Sequence, residues 1–592
     1  MLDLTTIEIS TSSIAGDILA PDENGQQEYV ITLHSYDDLD GFYDDLETSG
    51  GSITIPNRAV DVVHKLPSSR NTIYMLTADE AEQIRQDARV LAVDLTLEQR
   101  GLKLVPNWTE TSSHWSKTGL TSQKLNWSLL RTSIGHEIAN WGSDASPETT
   151  ATVSLSASGK NVDVVIVDDL INPEHPEIAR DPDGTGGSRL VQYDWGQWNS
   201  TILGAEFPNT PYNYTPNADL SNHGAHVTGI AAGNTCGWAR DANVYNINPY
   251  GTSGNEINPN AYTVLEYVKQ FHLNKPVNPT TGVKNPTVVN ISWGISPIFL
   301  RMGTTPQSSG KITSMRYSGT VYNTTTWGAE DFAYPQSKVG NLIGTGLFVA
   351  QSNWQWGIYF PIRDVAVETT IQELIDVGCI VCGASGNEFN YVMNNSTDPN
   401  NHYNDYLVYN DFIKGPITYY PKRGNISATP NCISVGNINS KVIPGKSQSS
   451  NTGPRIDVWA PGENIVSAAN TSTNNVVDPR NASYYKTQLT GTSMATPQVT
   501  GLLACILEIY PDLKQSEAKE FLISRLSTYN QIADVGNAEQ YLGTFTSLDG
   551  AANRYLYFYP ERALTGEAYP KTNNKLRPNA GQLWPRPRIK LR

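Results

Sequence analysis

Three short motifs, far apart in the chain, each carry one side chain that can take part in proton transfer or nucleophilic attack. The apolar run VIV is followed by Asp168, so a buried strand would deliver a carboxylate at its C-terminal edge. His223 lies near the start of the run 222–229 (NHGAHVTG), whose small residues allow a helix to begin close to a sheet. Ser493 lies in the run 489–497 (LTGTSMATP), directly before an apolar helical segment.

A carboxylate, an imidazole and a hydroxyl form a charge-relay system when folding brings them together. The imidazole can take the hydroxyl proton while the carboxylate orients the ring. Ser493 is expected to open its helix, where the N-terminal field favours developing negative charge. His223 is the candidate base, and His226 is expected to point inward as a buried support. Taken singly, the motifs have structural alternatives, namely a loop-capping Asp, a structural His and an N-cap Ser, but together they are far more specific.

The three motifs resemble those of the subtilisin-like serine peptidases of the S8 family, including its proteinase K-like members. This resemblance implies an endopeptidase that hydrolyses peptide bonds through an acyl-enzyme, with Asp168, His223 and Ser493 as the catalytic residues. The run 383–387 (GASGN) is similar to the family's oxyanion strand. Asn387 is therefore the expected side-chain donor to the oxyanion.

The run 290–294 (NISWG) looks like the family strand that pairs with the substrate backbone. A polypeptide substrate is then expected to bind as an added β-strand, with side-chain pockets providing specificity. The resemblance assigns six residues to substrate binding: Ser292, Trp293, Gly294, Gly383, Ala384 and Tyr419. Trp293 is expected to line the S4 side, with plain core packing as the alternative, and Tyr419 is expected at the floor of the S1 pocket.

Residues 28–98 alternate between strand and helix patterns and predict a β-α-β-β-α-β order, the ferredoxin-like split unit. Thr77 and Glu80 have the spacing of a capping box at the start of the second helix. The unit resembles the family's I9-type inhibitor propeptide, which implies an intramolecular inhibitor whose tail, 96–102, lies in the active site. Self-cleavage is then expected within 102–125. The alternative is an accessory domain that is never removed.

The second domain begins near residue 126. From residue 162 onward, short apolar strands alternate with helical segments, which predicts a parallel sheet with helices on both faces. The expected fold class is a three-layer α/β subtilisin-like domain preceded by a small ferredoxin-like α+β domain. The aromatic-rich segment 295–367 is interpreted as an insertion with internal structure or a function. The predicted units are a flexible N-terminal segment (1–25), the inhibitor-like domain (26–98), a linker that can contain the processing site (99–125), the peptidase domain (126–540) and an extended basic tail containing prolines (541–592).

Composition excludes several classes of function. A net charge of −16 argues against binding to nucleic acid, because most of the surface would repel phosphates. No stretch approaches the roughly 18 apolar residues of a membrane span, and no secretory signal is visible, which predicts a cytoplasmic or virion-associated protein. Cys379 and Cys382 read as part of a buried strand rather than a redox or metal site. The chemistry needs no cofactor; calcium is common in the family, but no ligand set and no metal site are assigned.

Two departures from the family pattern leave a second function open. Asp169 and Leu170 follow Asp168 where the family has a small hydroxyl residue and Gly, so the turn is expected to differ or to be strained. Ala225 replaces the usual Thr. The alternative is a catalytically weak or inactive protein of the same fold with a structural or peptide-binding role, for example in a virion. Such a protein would join an assembly through the insertion or the basic tail.

Overall fold

The computed structural model describes most of residues 19–557. The longest gaps in this description are 48–58, 111–123, 135–147, 251–260, 324–347, 393–406 and 534–546. Most of the predicted flexible N-terminal segment and the last part of the predicted basic tail, 558–592, lie outside the described residues. None of the helices in the described part of the chain is both long and apolar enough to span a lipid bilayer.

The N-terminal domain is a four-stranded antiparallel sheet with two helices. Its elements are β1 (Gln26–Leu33), α1 (Leu39–Glu47), β2 (Asp61–His64), β3 (Asn71–Thr77), α2 (Ala78–Ile84) and β4 (Val90–Leu95). The sheet order is β2-β3-β1-β4, and the succession of elements is the β-α-β-β-α-β order predicted above. The capping box is present: Glu80 N donates to Thr77 Oγ1 (3.3 Å) and Thr77 N donates to Glu80 Oε2 (2.8 Å).

The two faces of this small sheet are buried against different partners. Alternate residues of a strand point to opposite faces. Ile31 packs with the two helices of its own domain, in one core with Phe42 and Tyr74. Val30 and Ile73 instead belong to the core of the large domain. The N-terminal domain is therefore docked on the rest of the protein through the face that its own helices leave uncovered.

The large domain is built on an eight-stranded sheet. Its strands are β9 (Asp163–Val167), β10 (Asn243–Ile247), β11 (Thr287–Ile291), β18 (Ile380–Ala384), β21 (Ile433–Ile438), β22 (Val458–Pro461), β26 (Ser527–Tyr529) and β27 (Arg554–Leu556). The order is β10-β9-β11-β18-β21-β22-β27-β26, and every neighbouring pair is parallel except β27 and β26. Short apolar strands of this kind are typical of parallel sheets that are covered on both faces.

Six helices accompany this sheet: α3 (Trp127–Ile134), α4 (His223–Ala232), α5 (Ala261–Asn274), α6 (Val365–Asp376), α7 (Thr492–Ile509) and α8 (Gln515–Arg525). Val165 and Val167 pack in the core that contains residues of α5 and α6. Val164 and Ile166, which point to the other face, pack in the core that contains residues of α4 and α7. The alternation along one strand thus separates two helical layers, and the predicted three-layer α/β class is confirmed.

α4 lies unusually close to the sheet. A Cβ at Gly224 would lie 1.8 Å from the backbone oxygen of Asp169, so only glycine fits at the second position of this helix. The helix is also attached to β23 (Ile465–Ala469), because His226 Nε2–H donates to Ile465 O (2.9 Å) and Ser467 Oγ donates to His226 O (2.8 Å). These contacts fix the first turn of α4, which carries His223.

Short strands before the large domain pair with it at two places. β5 (Leu104–Pro106) is antiparallel to β12 (Trp293–Ile295). β6 (Thr109–Glu110) is antiparallel to β25 (Asn481–Thr490), which also pairs with β23 and with β24 (Val476–Asp478). Further along the chain, β7 (Lys124–Asn126) pairs with β8 (Glu148–Thr150).

The predicted insertion contains antiparallel strands. One sheet consists of β13 (Ile298–Met302), β16 (Phe348–Gln351) and β17 (Gln355–Phe360). A second sheet joins β14 (Lys311–Tyr317) and β15 (Thr320–Asn323) of this segment to β19 (Leu407–Asp411) and β20 (Gly415–Tyr419), which lie beyond it in the chain. The predicted end of the insertion at 367 is too late, because Asp364 already caps α6 by accepting from Val367 N (2.9 Å).

The predicted start of the basic tail at 541 is too early. β27 belongs to the central sheet, with Tyr555 opposite Trp459 of β22. Leu556 is completely buried in the core of the large domain. The short apolar pattern of this strand, within a polar surrounding sequence, gave no sign of a sheet partner from elsewhere in the chain.

A buried polar interface joins the two domains. Arg100, which follows β4 in the chain, forms an ion pair with Asp364, and both side chains are 1% exposed. Tyr262 Oη also donates to Asp364 (3.1 Å). Asn71 Nδ2 of β3 donates to Ala366 O (3.1 Å) of α6. The N-terminal domain therefore completes the hydrogen bonding of a carboxylate that lies deep in the large domain.

Replacing Arg100 tests this interface. In an Arg100→Met variant the apolar stem is kept but Asp364 loses its cationic partner, and breaking a buried pair in this way costs about 3–5 kcal/mol. Chemical unfolding in a Ser493→Ala background, which removes the predicted nucleophile, measures the loss. The matched control is Glu82→Gln, which breaks the exposed Arg85–Glu82 pair and should cost less than about 1 kcal/mol. Equal unfolding free energies for the two variants would contradict the prediction.

His226 predicts a pH dependence of stability. Burial lowers the pKa of His226 to about 3, from a usual value of 6.5. A lowered histidine pKa means that the unfolded chain binds the proton more tightly, so the stability present above pH 6.5 is lost as the pH falls toward 3. Between pH 6.5 and 5 this group should contribute a loss of about 2 kcal/mol.

The measurement is thermal unfolding of Ser493→Ala and of Ser493→Ala/His226→Gln over this pH range. The buried His175 and the half-buried His272 also have lowered pKa values, and they affect both proteins alike. The double variant should therefore show the flatter dependence. Two curves of the same slope would be the contrary result.

Candidate active site

Asp168 and His223 are in direct contact at the carboxyl edge of the central sheet. Asp168 is the first residue beyond β9, and His223 is the first residue of α4. Nδ1 of His223 lies 2.7 Å from Oδ1 of Asp168, and both side chains are 0% exposed. Because a carboxylate only accepts, Nδ1 carries the proton and Nε2 is the basic nitrogen of the ring. Such a pair can take a proton from a neighbouring hydroxyl.

Ser493, the second residue of α7, lies against Ser292. Ser493 Oγ donates to Ser292 O (2.8 Å), and Ser292 Oγ donates to Ser493 O (3.0 Å). Ser292 directly follows β11, whose last residue, Ile291, is opposite Val167 of β9. Ser292 and Asp168 are thus the next residues beyond two neighbouring strands. The structure therefore brings the predicted hydroxyl to the same sheet edge as the carboxylate and imidazole.

Asn387 is held beside the start of α7 by its side-chain oxygen. Asn387 Oδ1 accepts from Thr492 N (3.0 Å) and from Thr492 Oγ1 (3.1 Å). Its Nδ2 is buried and has no hydrogen-bond partner among the described residues. Gly386, with φ of +103°, turns the chain into this position, and a Cβ there would lie 2.3 Å from Asn451 Nδ2. The amide N–H groups can therefore donate to an oxygen that becomes negatively charged near Ser493.

The turn after Asp168 forms without left-handed residues. Neither Asp169 nor Leu170 has a positive φ, and Leu170 is buried. The strain expected for Leu at this position is therefore absent. Asp168 Oδ1 accepts from Asp169 N (2.9 Å), and the half-buried Asp169 side chain accepts from Ser221 Oγ.

Within the described residues, Asp168, Asp169 and His223 also form a group with potential metal-ligating atoms within 4.8 Å of one another. Asp168 Oδ1 is already engaged by the imidazole of His223, and Asp169 Oδ2 by the hydroxyl of Ser221. These contacts are those of a proton relay. While Nδ1 of His223 carries the proton that it donates to Asp168, this nitrogen has no lone pair for a metal. The donor set therefore fits acid–base chemistry better than metal ligation.

Sequence reasoning missed three supporting residues. Ser221 binds both Asp169 and the backbone N of His223 (3.2 Å), and Thr492 orients Asn387. Thr492 directly precedes Ser493 in the serine motif, so the sequence could have shown that Thr492 lies next to the nucleophile. Tyr250 had none: burial and the charges of Asp168 and Asp169 raise its pKa well above the usual value, so a neutral phenol lies near the carboxylates.

The predicted substrate strand is formed, but one side chain differs from expectation. The backbone of Trp293 is opposite Pro106 of β5. Its indole, predicted to line the S4 side, is 0% exposed and donates from Nε1 to Val167 O (2.8 Å). Core packing, the alternative, is what the structure contains. A ring of this size with a polar N–H is stable in the interior when the N–H finds an acceptor, and the end of β9 supplies one.

The remaining predicted binding residues Gly383, Ala384 and Tyr419 lie on two strands of different sheets. Gly383 and Ala384 end β18 and are buried. A Cβ at Gly383 would lie 2.8 Å from that of Ser427, so this glycine allows close packing of the chain behind the strand. Tyr419 is the last residue of β20, and its side chain lies outside the described residues. Its role in the S1 pocket stays a prediction.

Comparisons with known proteins bear on the family to which the chain belongs. A model of the subtilase family (peptidase S8) matches residues 159–544, more than half of the chain. A subtilisin-like protease of Coccidioides posadasii is 35% identical over 114 residues, which are 19% of this chain and 25% of the relative. Subtilisin-like protease 8 of Arthroderma otae is 21% identical over 464 residues, 77% of this chain and 64% of the relative. In both cases the match spans less than two thirds of the relative.

Among solved structures, fervidolysin from Fervidobacterium pennivorans, a keratinolytic enzyme related to subtilisin, is 15% identical and has a TM-score of 0.47. The match covers 93% of this chain and 63% of that one. This likeness is too distant to support an argument about activity. The family model spans the segment that carries Asp168, His223, Asn387 and Ser493. The chain therefore belongs to the subtilase family of serine peptidases.

Proposed function

We propose that this chain is a serine endopeptidase in which Ser493 is the nucleophile, His223 the general base and Asp168 the residue that orients the base. The observation that carries the proposal is the buried 2.7 Å contact between His223 Nδ1 and Asp168 Oδ1. An imidazole held in this way has its basic nitrogen turned away from the carboxylate. The hydroxyl of Ser493, fixed beside Ser292 at the same sheet edge, is the nucleophile available to it.

The reaction follows from the charges of these groups. His223 takes the Ser493 proton as Oγ attacks a peptide carbonyl carbon, and Asp168 stabilises the imidazolium that forms. The imidazolium then gives its proton to the leaving amine as the C–N bond breaks. Water then attacks the resulting ester. His223 takes a proton from the water and gives it to Ser493 Oγ as the ester bond breaks. No cofactor is needed, since every proton transfer uses a group of the protein.

The oxyanion of the tetrahedral intermediate requires donors that are in place before the reaction. Asn387 supplies one, because two contacts with Thr492 commit its oxygen and leave Nδ2 as the free end. The backbone N–H of Ser493, in the first turn of α7, supplies a second donor, and the positive end of the helix dipole strengthens its effect on an anion. Donors fixed in a water-excluded site need little reorganisation as charge develops.

The N-terminal domain is proposed to be an intramolecular inhibitor. Two observations support this role: β5 lies along the predicted substrate strand as β12's partner, and β6 pairs with the end of β25, just before Ser493. A chain segment in these positions prevents another polypeptide from adding its own strand. The buried Arg100–Asp364 pair, which precedes this segment in the chain, attaches the N-terminal domain to the large domain.

A fluorophosphonate probe tests the nucleophile. The wild-type chain, incubated until the full-length band no longer changes on a denaturing gel, should become labelled on Ser493, whereas Ser493→Ala should stay unlabelled and full-length. Peptide mapping identifies the modified residue. A chain that is neither shortened nor labelled, although folded by circular dichroism, would instead support a structural or peptide-binding protein with this fold.

Asn387→Ala tests the oxyanion donor. Loss of one such donor costs about 10²–10³ in kcat in subtilisin, a member of the same family, and the same range is expected here. KM for a peptide substrate should change little, because the side chain acts on charge that develops only in the transition state. Steady-state kinetics measure both constants, and unfolding curves control for folding. A kcat within threefold of wild type would remove Asn387 from the site.

A further inference from the structure

The turn that carries Asn387 contains a glycine and depends on outside contacts for its shape. It follows β18 and consists of Ser385, Gly386, Asn387 and Glu388. Gly386 has φ of +103°, and glycine adopts positive and negative φ about equally readily. The backbone on both sides of Asn387 is therefore fixed by other parts of the chain. Those contacts decide where the amide of Asn387 lies relative to Ser493.

Asn451 contacts this turn on both sides of Asn387. Its Nδ2 donates to Ser385 O (2.6 Å) and to Glu388 Oε2 (2.9 Å), and its Oδ1 accepts from Glu388 N (3.1 Å). Its backbone N donates to Gly386 O (2.9 Å). Asn451 is completely buried, so water does not compete for these bonds. A single residue thus holds the three residues of the turn that flank Asn387.

The turn also packs closely on the side chain of Asn451. A Cβ at Gly386 would lie 2.3 Å from Asn451 Nδ2 and 2.4 Å from Glu388 Oε2. Only the bare backbone of a glycine can approach the Asn451 amide in this way. Without that amide, the turn would lose its hydrogen bonds and the surface on which it packs.

Asn451 is itself attached to the central sheet. Ser450 Oγ accepts from Asn437 N of β21 (3.0 Å) and donates to Asn451 O (3.0 Å). Ser450 O accepts from Nζ of the buried Lys446 (2.9 Å). β21 is the neighbour of β18, the strand that leads into the turn. Asn451 is therefore anchored on the same rigid sheet as the turn, and a precisely held site needs such support.

Thr492 and Asn451 act on different parts of the turn. Thr492 N and Oγ1 donate to the side-chain oxygen of Asn387, which orients the amide. Asn451 bonds to the residues before and after Asn387, which fixes the backbone from which the amide extends. An oriented amide on a displaced backbone would still miss the oxygen that it has to meet. The two residues are therefore complementary.

We propose that Asn451 is a positioning residue for the oxyanion donor, an inference that rests on the proposed function. It holds the turn 385–388 so that Nδ2 of Asn387 meets the oxygen that becomes negative when Ser493 attacks. Asn451 acts through Asn387 and exchanges no proton in the reaction. Complete loss of an oxyanion donor costs about 10²–10³ in rate, and a misplacement of about 1 Å can cost about 10².

Steady-state kinetics of Asn451→Ala test this role. With a peptide substrate, kcat should fall about ten- to hundredfold, while KM should change less than about threefold, because the lost effect acts on charge that develops in the transition state. Rates are expressed per site that a fluorophosphonate labels, so that molecules still covered by the N-terminal domain do not enter kcat.

The matched control is Thr452→Val, at the next position of the same loop. It removes the hydrogen bond from Thr452 Oγ1 to Ser547 O (3.0 Å), in which the turn 385–388 takes no part. Thr452 is also buried, so both variants lose buried hydrogen bonds. Thr452→Val should keep kcat within about twofold of wild type. Equal losses of kcat in Thr452→Val and Asn451→Ala would overturn the inference.

The double variant Asn387→Ala/Asn451→Ala separates positioning from general damage. Once the donor is absent, the second substitution should lower kcat by less than about threefold. The same loss in both backgrounds would overturn the inference, as would a kcat of Asn451→Ala within threefold of wild type. Either result leaves the proposed function standing. A wild-type chain that neither cleaves peptides nor is labelled on Ser493 overturns both.

Asn451→Asp is the second variant, used if Asn451→Ala does not unfold cooperatively. The aspartate has nearly the same shape and keeps an acceptor for Glu388 N, but it has no N–H for Ser385 O. We expect the same fall in kcat and the same small effect in the Asn387→Ala background. A folded Asn451→Asp with the kcat of wild type would contradict the positioning role.

Discussion

The carboxylate of Asp168 is completely buried, and a charge in that position is stable only with partners that hydrogen-bond to it. The imidazole of His223 and the backbone N of Asp169 are those partners. For the imidazole to reach the carboxylate, α4 must begin directly on the turn after β9. Gly224 makes this approach possible, since any side chain there would collide with the Asp169 carbonyl. The requirement to neutralise one buried charge thus explains the position of the helix, the small residues at its start and the hydrogen bonds that attach it to β23.

Much of this arrangement could be predicted because its signals are local. Asp168 follows an apolar run, His223 and Ser493 begin helices rich in small residues, and the carboxyl ends of parallel strands share one edge. The succession of elements in the N-terminal domain was equally accessible, since each element has its own periodicity and the Thr77–Glu80 box marks a helix start.

The features that escaped prediction depend on contacts between distant parts of the chain. Whether Trp293 faces a substrate pocket or the interior is decided by the carbonyl of Val167, which no pattern near the tryptophan reveals. In the sequence, β27 looks like part of a polar tail, and only its pairing with β22, where Tyr555 is opposite Trp459, shows that it belongs to the central sheet. The pairing of β5 and β6 with strands of the large domain is of the same kind, because its register exists only once both partners have folded. The departure at Leu170 was visible, but its outcome was not, since only the backbone angles show that the turn is unstrained.

The interface centred on Arg100 and Asp364 has a consequence that depends on covalent connectivity. While the two domains form one chain, the N-terminal segment meets the catalytic edge at a fixed effective concentration, in the millimolar range for short tethers, however dilute the protein is. If the chain were cut between the two domains, the same contacts would become a bimolecular equilibrium that obeys mass action. Dilution below the dissociation constant would then release the fragment, and a higher protein concentration would restore the complex. Under the proposed inhibitory role, the strength of this interface, including its buried ion pair, would set the protein concentration at which the cut molecule becomes active.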